Sequence, residues 1–380
     1  MELDKEGKRM KKGYYVHFQG RTSIGVSKKI DMQLKEFRRF YDMEEMEVET
    51  VQRNLFQRIL GLFPAASIKR DYENALESMK QPDFIYVRRA VADRAYVKFW
   101  KEIKKKYPRC KIIIEIFTYP YDKDDFGKWN AWPFYIKELI YRRKLKKYVD
   151  RFVTYSDDDV IFNIPTIRTT NGVNVDDVSI INGEFHKNQL TMIGVAYMQR
   201  QHGYERIIKG MGEYYRQGKN YYKIFLKLVG DGPEKKGYQE LAQKYDLGEY
   251  VKFYPTTTGE QLDKLYDQSE LALGVFGMYK VGYKGPVGAI KTRECLAKGI
   301  PMVSGSPVDV MDGDSKYIKI FPNDDSSVNM KEIIDFYEAL RKEEGSKRKL
   351  AEKLRNFARQ HVSMEVVMKP IEDYINEEDA

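Results

Sequence analysis

The residues best suited to chemistry lie between Lys284 and Pro301, a segment that reads KGPVGAIKTRECLAKGIP. It begins with glycines and continues into a predicted helix that carries Lys291 and Glu294 three positions apart. Side chains at this spacing share one face of a helix. A cation that meets phosphate, beside a carboxylate that accepts sugar hydroxyls, would suit a nucleotide-diphosphate-sugar, whereas the plainer interpretation is a surface ion pair.

Three further loops contain glycines where a strand is predicted to turn into the next element. Gln19–Val26 (QGRTSIGV) ends at Gly25 before a predicted helix, which suits either a phosphate seat at the helix amino terminus or a simple tight turn. Gly230-Asp-Gly-Pro233 is a sharp strand-to-helix turn. Thr170-Asn-Gly-Val-Asn174 is typical of an interdomain hinge or of a type I′ turn.

The elements that must position these loops alternate between strands and helices. Short runs of Val, Ile, Phe and Tyr are separated by longer stretches of helical period, which predicts parallel sheets in an α/β protein. The predicted strands are Tyr14–Phe18, Asp83–Val87, Lys111–Ile116, Arg151–Thr154, Leu190–Ala196, Lys223–Val229, Tyr250–Phe253, Leu271–Val275 and Pro301–Ser304. The predicted helices are Val26–Phe40, Val91–Lys106, Phe134–Val149, Glu205–Arg216, Glu234–Tyr245, Glu260–Gln268 and Ile290–Lys298.

Length and pattern predict two doubly wound domains of Rossmann type, with a linker between Asn171 and Gln189. In such sheets the loops after the strands carry the ligand. The amphipathic stretch Met364–Ile375 is expected to be a helix that packs back across the first domain.

Composition narrows the class of protein. The chain has 380 residues, of which 42% are hydrophobic and 32% charged, so a disordered or disulfide-built chain is excluded. The two cysteines lack metal-site spacing, and no apolar run is long enough for a spanning helix or a signal peptide, so we expect a cytoplasmic protein. The formal charge of +9 indicates an anionic partner.

Several common sites are missing from the sequence. It contains no GxGxxG between a strand and a helix, no Walker A loop, no HExxH and no GxSxG. Asp157-Asp158-Asp159 could imitate a metal-binding DxD, but a solvated helix start capped by Ser156 is favoured, so no metal is predicted. Nucleic acid is not expected as a partner, because no known binding motif accompanies the charge.

The order of these pieces resembles a retaining glycosyltransferase of family 4. A glycine loop after the first strand, the NGVN segment, the Gly-Asp-Gly-Pro turn, the Val251-Lys-Phe253 strand and the Glu-Cys-Leu-Ala-Lys-Gly-Ile-Pro helix end occur in the expected order between about Tyr14 and Ser304. His202-Gly-Tyr-Glu-Arg206 and Glu115–Asp122 resemble a bacterial branch associated with surface polysaccharide assembly.

This resemblance implies the GT-B fold, in which two Rossmann-like domains face each other across a cleft. It implies an acceptor domain over residues 1–180, a nucleotide-sugar donor domain over 181–360 and a returning helix over 361–380. The implied reaction moves a sugar from a UDP- or GDP-linked donor to a polysaccharide or lipid-linked acceptor, with retention of anomeric configuration and without a metal or other cofactor.

The resemblance also implies roles for individual residues. Gly25 would approach the donor phosphates, Lys291 would neutralise them and Glu294 would bind the ribose. Gly230 would belong to the donor side, whereas Thr118 and Tyr119 would belong to the acceptor side.

The sequence departs from the family pattern at three positions. Pro286 stands where the family has a first glutamate, and Val195 and His202 stand where it has an arginine and a lysine that meet the pyrophosphate. His202 is therefore a weaker phosphate candidate, and Arg200 or Arg293 could supply replacement charge. A GT-B protein that no longer transfers sugar and binds the acceptor for another transferase is the alternative, and an epimerase on the same fold is a further one.

The segment Phe134–Arg151 holds seven Lys or Arg residues against Glu138 and Asp150, with apolar residues at helical spacing. Trp129 and Trp132 precede it. This pattern suits a helix on an anionic membrane surface, which would give access to a lipid-linked acceptor, and equally a core helix with a solvated basic face.

Overall fold

The chain forms two compact α/β units, each with its own sheet. The computed structural model describes residues 9–18, 24–51, 63, 66–122, 126–127, 131–218, 221–310 and 316–378. Unit 1 comprises Met1–Thr170 with Val367–Ala380, and unit 2 comprises Asn171–Val366. The expected glycine loop at 19–23 and Trp129 lie outside the described residues.

Unit 1 is built on a seven-stranded sheet. Its strands are β1 (Lys12–His17), β2 (Asp42–Glu47), β3 (Phe84–Arg88), β4 (Lys111–Ile116), β5 (Arg151–Thr154), β6 (Val160–Ile161) and β7 (Ile164–Arg168). Its helices include α1 (Ile24–Phe37), α2 (Tyr72–Ser78), α3 (Arg94–Lys106) and α4 (Trp132–Tyr141). The strand order is β2-β1-β3-β4-β5-β7-β6, parallel except for the β6–β7 hairpin.

The core of unit 1 forms where apolar strands meet amphipathic helices. Strands β3 and β4 lie in the middle of the sheet and are almost wholly buried, because a central parallel strand is covered on both faces. Helix α3 begins where the Asp93 carboxylate accepts the Tyr96 amide at 2.8 Å, and it ends in a basic turn that complements the helix dipole. Its apolar face buries Trp100 against the sheet.

Unit 2 is built on a six-stranded sheet in which all neighbours are parallel. Its strands are β8 (Gln189–Val195), β9 (Lys223–Val229), β10 (Val251–Tyr254), β11 (Leu271–Leu273), β12 (Met302–Ser304) and β13 (Ile318–Ile320). Its helices are α5 (Glu205–Arg216), α6 (Lys235–Lys244), α7 (Gly259–Asp267), α8 (Ile290–Lys298), α9 (Met330–Glu344) and α10 (Lys347–His361). The strand order is β10-β9-β8-β11-β12-β13.

The last helix, α11 (Met364–Asn376), leaves unit 2 at its start and packs on unit 1. Lys11 Nζ donates to the Ile375 carbonyl at 2.7 Å, and Lys111 Nζ donates to the Tyr374 carbonyl at 2.9 Å. These carbonyls belong to the last turn, which lacks intrahelical donors and carries the negative end of the dipole. Two lysines of unit 1 therefore cap the helix that completes it.

The predicted fold class of two parallel-sheet α/β domains is confirmed, and every predicted strand and helix recurs with somewhat shifted ends. Elements that the sequence did not predict are β2, β6, β7, β13, α2, α9 and α10. The predicted helix Phe134–Val149 is shorter, because a 3₁₀ segment, Arg142–Lys147, follows α4. Arg142 and Leu145 are both buried, and residues three apart eclipse each other in a 3₁₀ helix.

The aspartate cluster was predicted wrongly as a helix start. Asp157–Asp159 lie in the turn between β5 and β6, where Ser156 Oγ donates to the Asp158 carboxylate at 2.7 Å. The described residues hold no group of three or more His, Cys, Asp or Glu side chains placed to bind a metal ion. Of the helices in the described ranges, none has both the length and the apolar character that crossing a bilayer requires.

Candidate functional site

The loops at the carboxyl edge of the unit 2 sheet are held close together by glycine. Gly230, which follows β9, has φ +128°, and a Cβ there would lie 2.0 Å from the Ala196 carbonyl oxygen. The Met198 amide donates to the Asp231 carbonyl at 2.5 Å across the same contact. Only glycine allows both the conformation and the approach, so the predicted Gly-Asp-Gly-Pro turn fixes the loop that follows β8.

The 3₁₀ turn Arg200–His202 lies at the end of that loop and is held against the segment after β11. The Phe276 amide donates to the His202 carbonyl at 2.9 Å. Gly203 has φ +61°, and a Cβ there would lie 2.5 Å from the Gly277 amide nitrogen. The backbone thus holds the His202 side chain at the sheet edge before any ligand arrives.

Lys291 lies in the first turn of α8, which follows an extended residue, Ala289. Its Nζ is 3.3 Å from both the Tyr204 hydroxyl and the Gly274 carbonyl oxygen, and it lies over the Tyr204 ring at 5.7 Å from the centroid. No carboxylate among the described residues forms an ion pair with it. Burial lowers the pKa of Lys291 to about 8. Within the described ranges, this site therefore contains a desolvated ammonium whose hydrogen-bond partners are neutral dipoles.

His202 is a neutral neighbour of this cation. Burial, reinforced by the charge of Lys291, lowers the pKa of His202 to about 3. Its Nδ1 accepts the Gln199 amide at 3.0 Å, so the proton of the neutral ring is on Nε2. The Tyr204 ring lies 5.7 Å from the imidazole. The structure thus brings together Lys291, His202 and Tyr204, a set in which Tyr204 was not predicted.

Arg293 lies two residues beyond Lys291 and is buried, with an ion-pair partner and a hydrogen-bond partner in unit 2. It is 0% exposed, its Nη2 lies 2.6 Å from the Asp309 carboxylate, and its Nε donates to the Asn171 carbonyl at 3.0 Å. The side-chain Nδ2 of Asn171 donates in turn to the Gly288 carbonyl at 2.7 Å. These contacts join the predicted NGVN segment to the glycine-rich start of α8.

The other predicted donor residues lie in less connected places. Glu294 is half-buried on α8, where its charge contributes to raising the pKa of the buried Cys295 thiol after burial itself. Arg200 is exposed in the 3₁₀ turn beside His202. Gly25 lies in the first turn of α1 in unit 1, and a Cβ there would meet nothing within 4 Å.

The predicted acceptor residues follow β4 at the carboxyl edge of the unit 1 sheet. Thr118 is exposed, whereas the Tyr119 ring packs on Tyr121 and Phe162 at centroid distances of 6.3 and 5.9 Å. Burial raises the pKa of Tyr119 above its usual value.

A buried network near this edge was missed by sequence reasoning. Glu115, at the end of β4, is 0% exposed, and Lys29 Nζ and Arg88 Nη1 lie 3.0 and 3.4 Å from its carboxylate. The Tyr155 hydroxyl donates to the same group at 2.5 Å. Burial alone would raise the pKa of Glu115, but the two cations outweigh it and lower the pKa to about 2. The sequence feature that could have revealed this network is the single glutamate inside the otherwise apolar strand KIIIEI.

Comparison with protein families gives one match. Residues 179–310, all within unit 2, match the model described as "Glycosyl transferases group 1". This match covers α8 with Lys291, the 3₁₀ turn with His202, and the Gly-Asp-Gly-Pro turn. No curated protein matches the sequence.

The whole chain is similar to solved structures of glycosyltransferases. A glycosyltransferase from Rickettsia africae has 13% identity and TM-score 0.59, with 96% of this chain and 98% of that chain covered. A sucrose-phosphate synthase from Thermosynechococcus elongatus has 12% identity and TM-score 0.60, with 96% and 98% covered. A trehalose-6-phosphate synthase studied for glycosyl transfer with retention has 11% identity and TM-score 0.55, with 96% and 99% covered.

At these identities the likeness establishes the fold, which is that of GT-B glycosyltransferases. The group 1 match in unit 2 supports glycosyl transfer as the kind of chemistry. Assignment to family 4 and to its surface-polysaccharide branch stays a prediction.

Proposed function

We propose that the protein transfers a sugar from a nucleotide-diphosphate-sugar, UDP- or GDP-linked, to a glycan or lipid-linked acceptor with retention of anomeric configuration. The observation that carries this proposal is Lys291, an ammonium that the fold desolvates without a carboxylate partner among the described residues. Such a group is stabilised when an anion binds, and a diphosphate leaving group supplies one.

His202 complements this cation as a hydrogen-bond donor. Because its Nδ1 is occupied by the Gln199 amide, the Nε2–H is the group that can donate to a phosphate oxygen. The amino-terminal turn of α8, which carries Lys291, adds the favourable end of the helix dipole. In this proposal positive charge and dipoles of the chain, rather than a metal ion, stabilise the departing diphosphate.

Beyond stabilising the leaving group, the proposed reaction requires only that the protein position the donor and the acceptor. In the front-face path we propose, the departing diphosphate takes the proton of the acceptor hydroxyl, so neither a nucleophile nor a general base of the protein is needed. The trehalose-6-phosphate synthase comparison, whose subject is transfer with retention, supports this stereochemistry.

The remaining residues have supporting roles in the proposal. Glu294 binds the ribose, and Gly25 and Arg200 approach the donor phosphates. Gly230 holds the loop in place through its contact with Ala196. Arg293 keeps the start of α8 in place through Asp309 and Asn171, so we propose that it acts on the donor by positioning this helix.

Replacement of Lys291 or Glu294 tests the site. Lys291→Ala and Glu294→Ala should each lower the transfer rate about tenfold or more, which corresponds to ~1.4 kcal/mol of transition-state stabilisation, with an unchanged circular-dichroism spectrum. The donor is first found by a thermal-shift screen of nucleotide-sugars, since a ligand of the folded state raises its melting point. Lys342→Ala, at an exposed lysine on α9, is the control. Rates near wild type in both site variants would reject the site.

The alternative is a GT-B protein without transfer activity that binds the acceptor for another transferase. Pro286 and Val195 favour it, because they replace a glutamate and an arginine that the family resemblance implies. Nucleotide calorimetry followed by a donor-hydrolysis assay separates the two functions. Failure of UDP, GDP and TDP species to bind would favour the inactive partner.

We also propose that unit 1 binds an anionic membrane surface, on the cytoplasmic side, through α4 and the 3₁₀ segment after it. Trp132, Leu139 and Ile140 are 58%, 40% and 42% exposed. Four basic residues that follow them are exposed as well: Arg143, Lys144, Lys146 and Lys147. Apolar side chains beside a basic cluster are typical of interfacial helices, and each basic residue near anionic lipid contributes about 1 kcal/mol.

Vesicle sedimentation tests this surface. The protein should sediment with vesicles that contain phosphatidylglycerol and not with pure phosphatidylcholine, and the double variant Lys144→Gln/Lys147→Gln should weaken binding about tenfold or more. Lys331→Gln/Lys342→Gln in unit 2 removes the same charge elsewhere and should leave binding unchanged. Equal binding by both double variants would exclude this surface.

A further inference from the structure

Tyr204 is the side chain against which the Lys291 ammonium lies. Lys291 Nζ donates to the Tyr204 hydroxyl at 3.3 Å and is 5.7 Å from the centroid of its ring. Tyr204 is 0% exposed. The contact joins the residue before α5 to the first turn of α8, 87 positions further along the chain. In the described part of the chain, the Tyr204 hydroxyl and the Gly274 carbonyl are the two hydrogen-bond acceptors of this ammonium.

Three neighbours hold the Tyr204 ring in one position. A Cβ on Gly194, in β8, would lie 2.9 Å from Tyr204 Cζ, so the glycine leaves the space that the ring occupies. The Tyr238 hydroxyl, from α6, accepts the Tyr204 amide at 3.4 Å, and the centroids of the two rings are 5.9 Å apart. The third neighbour is the His202 ring, 5.7 Å away. Packing of this kind fixes the rotamer, so the hydroxyl is in place before a ligand binds.

The Tyr204 hydroxyl is a neutral acceptor beside a cation. Burial raises the pKa of Tyr204, so the charge of the pair resides on Lys291. A hydrogen bond that is donated by an ammonium favours the charged form of the lysine. It opposes burial, which lowers the pKa of Lys291 to about 8. Removal of the acceptor should therefore make Lys291 lose its proton at a lower pH.

The titratable neighbours of Lys291 keep one charge state near pH 8. His202, in the 3₁₀ turn, is neutral because burial lowers its pKa to about 3. Cys295, on α8, keeps its proton because burial raises its pKa to about 12, and the charge of Glu294 adds to this effect. Burial likewise raises the pKa of Tyr238 on α6. A titration step near pH 8 in this site is therefore that of Lys291.

We propose that Tyr204 is the positioning residue of the donor site, and that its hydroxyl holds the Lys291 ammonium in place and in its charged form for the donor diphosphate. This inference rests on the proposed transferase function only in taking a diphosphate as the anion. Phenylalanine at position 204 would keep the packing of the ring and remove the acceptor. Tyr204→Phe therefore separates the role of the hydroxyl from that of the ring.

Competitive acetylation of the unliganded full chain tests the contact without a nucleotide. Acetic anhydride reacts with neutral amines, so mass spectrometry of labelled Lys291 across a pH series gives its titration midpoint. We expect a midpoint at about 8 in wild type and about one pH unit lower in Tyr204→Phe, equivalent to ~1.4 kcal/mol. Tyr337→Phe removes another buried hydroxyl, which donates to the His186 carbonyl, and should leave the midpoint unchanged. Equal midpoints in wild type and Tyr204→Phe would overturn the proposal.

Nucleotide titrations test whether the contact serves donor binding. UDP and GDP are titrated by calorimetry into wild type and Tyr204→Phe at about pH 6 and about pH 8.5. At the lower pH Lys291 is protonated in both proteins, so their affinities should agree within about threefold. At the higher pH Tyr204→Phe should bind about five to ten times more weakly, because more of its Lys291 is neutral. The same affinity ratio at both pH values would overturn the proposal.

A double-mutant cycle in urea measures the contact through stability. Tyr204→Phe should lower the urea midpoint in the wild-type background, because it removes a hydrogen bond of the ammonium. In the Lys291→Met background the hydroxyl has already lost this donor, so the same change should leave the midpoint unchanged or raise it. An equal loss in both backgrounds would show that Tyr204 contributes packing alone and would overturn the proposal.

Failure of this proposal and failure of the proposed function give different results. If the Lys291 midpoint falls in Tyr204→Phe but neither UDP nor GDP binds, Tyr204 holds the ammonium for another anion and the transferase proposal fails. If nucleotide binds wild type and Tyr204→Phe with the same pH dependence, the transferase proposal holds and the positioning role of Tyr204 fails.

Discussion

Lys291 is an unusual residue because its surroundings disfavour its own charge. Its ammonium contacts a tyrosine hydroxyl and a carbonyl oxygen, its charge disfavours protonation of His202, and burial lowers its own pKa to about 8. A lysine that only stabilises the fold would be paired with a carboxylate. Lys298, on the same helix as Lys291, is paired in this way with Asp263 of α7. A site that binds an anion benefits from the opposite arrangement, in which no described carboxylate pairs with the cation and a ligand can supply the opposite charge.

This contrast predicts opposite effects of one substitution on stability and binding. Lys291→Met keeps the length of the side chain and removes the desolvated charge, so the free energy of unfolding should rise by about 1–3 kcal/mol while nucleotide binding is lost. Urea unfolding and calorimetry measure the two quantities. Lys298→Met, which breaks the pair with Asp263, should instead be destabilised. A loss of stability in Lys291→Met would indicate a structural role.

The same residue predicts how nucleotide binding depends on pH. The unliganded site holds the proton of Lys291 only below about pH 8, and a bound diphosphate should raise that pKa. Affinity should therefore fall as pH rises through about 8, and binding near that pH should take up a proton. His202, whose pKa is about 3, stays neutral throughout. Calorimetry in buffers of different ionisation enthalpy measures the proton, and Lys291→Met should show no such dependence.

At the scale of elements, the terminal helix α11 has a titratable contact with unit 1. Glu372 is 7% exposed and Glu36 of α1 is 4% exposed, and Arg39 Nη1 lies 2.8 and 3.0 Å from the two oxygens of Glu36. Burial, with the charge of Glu36, raises the pKa of Glu372 to about 7. The attachment of the last helix is therefore favoured when Glu372 is protonated.

The raised pKa of Glu372 predicts how the free energy of unfolding changes with pH. The folded chain holds this proton more tightly than the unfolded one, so the stabilisation present below about pH 4.5 is lost as pH rises to about 7. Glu372→Gln imitates the protonated carboxyl, so it should match wild type at pH 5 and be about 1–3 kcal/mol more stable at pH 8. Urea unfolding at the two pH values measures this difference. Glu365→Gln, on the same helix, is the control and should not gain stability over wild type between pH 5 and pH 8.

Which elements could be predicted from the sequence depended on their burial. Central strands such as β4 and β9 carry apolar runs because helices and neighbouring strands cover them, and they were predicted. Strand β2 reads DMEEME and lies at the edge of the described sheet, where side chains meet water and no apolar pattern is required. Strand β13, at the corresponding edge of unit 2, has only three residues.

Within the candidate site, residues related by local spacing could be predicted from the sequence, whereas contacts between distant segments could not. Lys291 and Glu294 could be found because their spacing on one helix is a property of adjacent sequence. The pairing of Arg293 with Asp309 and the position of Tyr204 beside Lys291 join separate elements, and no local pattern reports them. Sequence reasoning therefore named Arg293 as a source of charge for the donor without any sign that the side chain is buried against Asp309.

At the scale of the whole molecule, the net charge of +9 indicated an anionic partner without saying where it binds. The structure offers two separate places for negative charge: Lys291 in unit 2 and the exposed basic residues after α4 in unit 1. The first suits a diphosphate and the second suits a lipid surface. Substitutions at one place should leave the other binding reaction unchanged, which makes the two proposals independent in experiment.

The most direct test of the central claim is a calorimetric titration of UDP and GDP into the full chain and into Lys291→Met. The account predicts that at least one of the two diphosphates binds wild type and that its affinity falls about tenfold or more in Lys291→Met, equivalent to ~1.4 kcal/mol. Absence of binding by both diphosphates, or equal affinity in the two proteins, would contradict it.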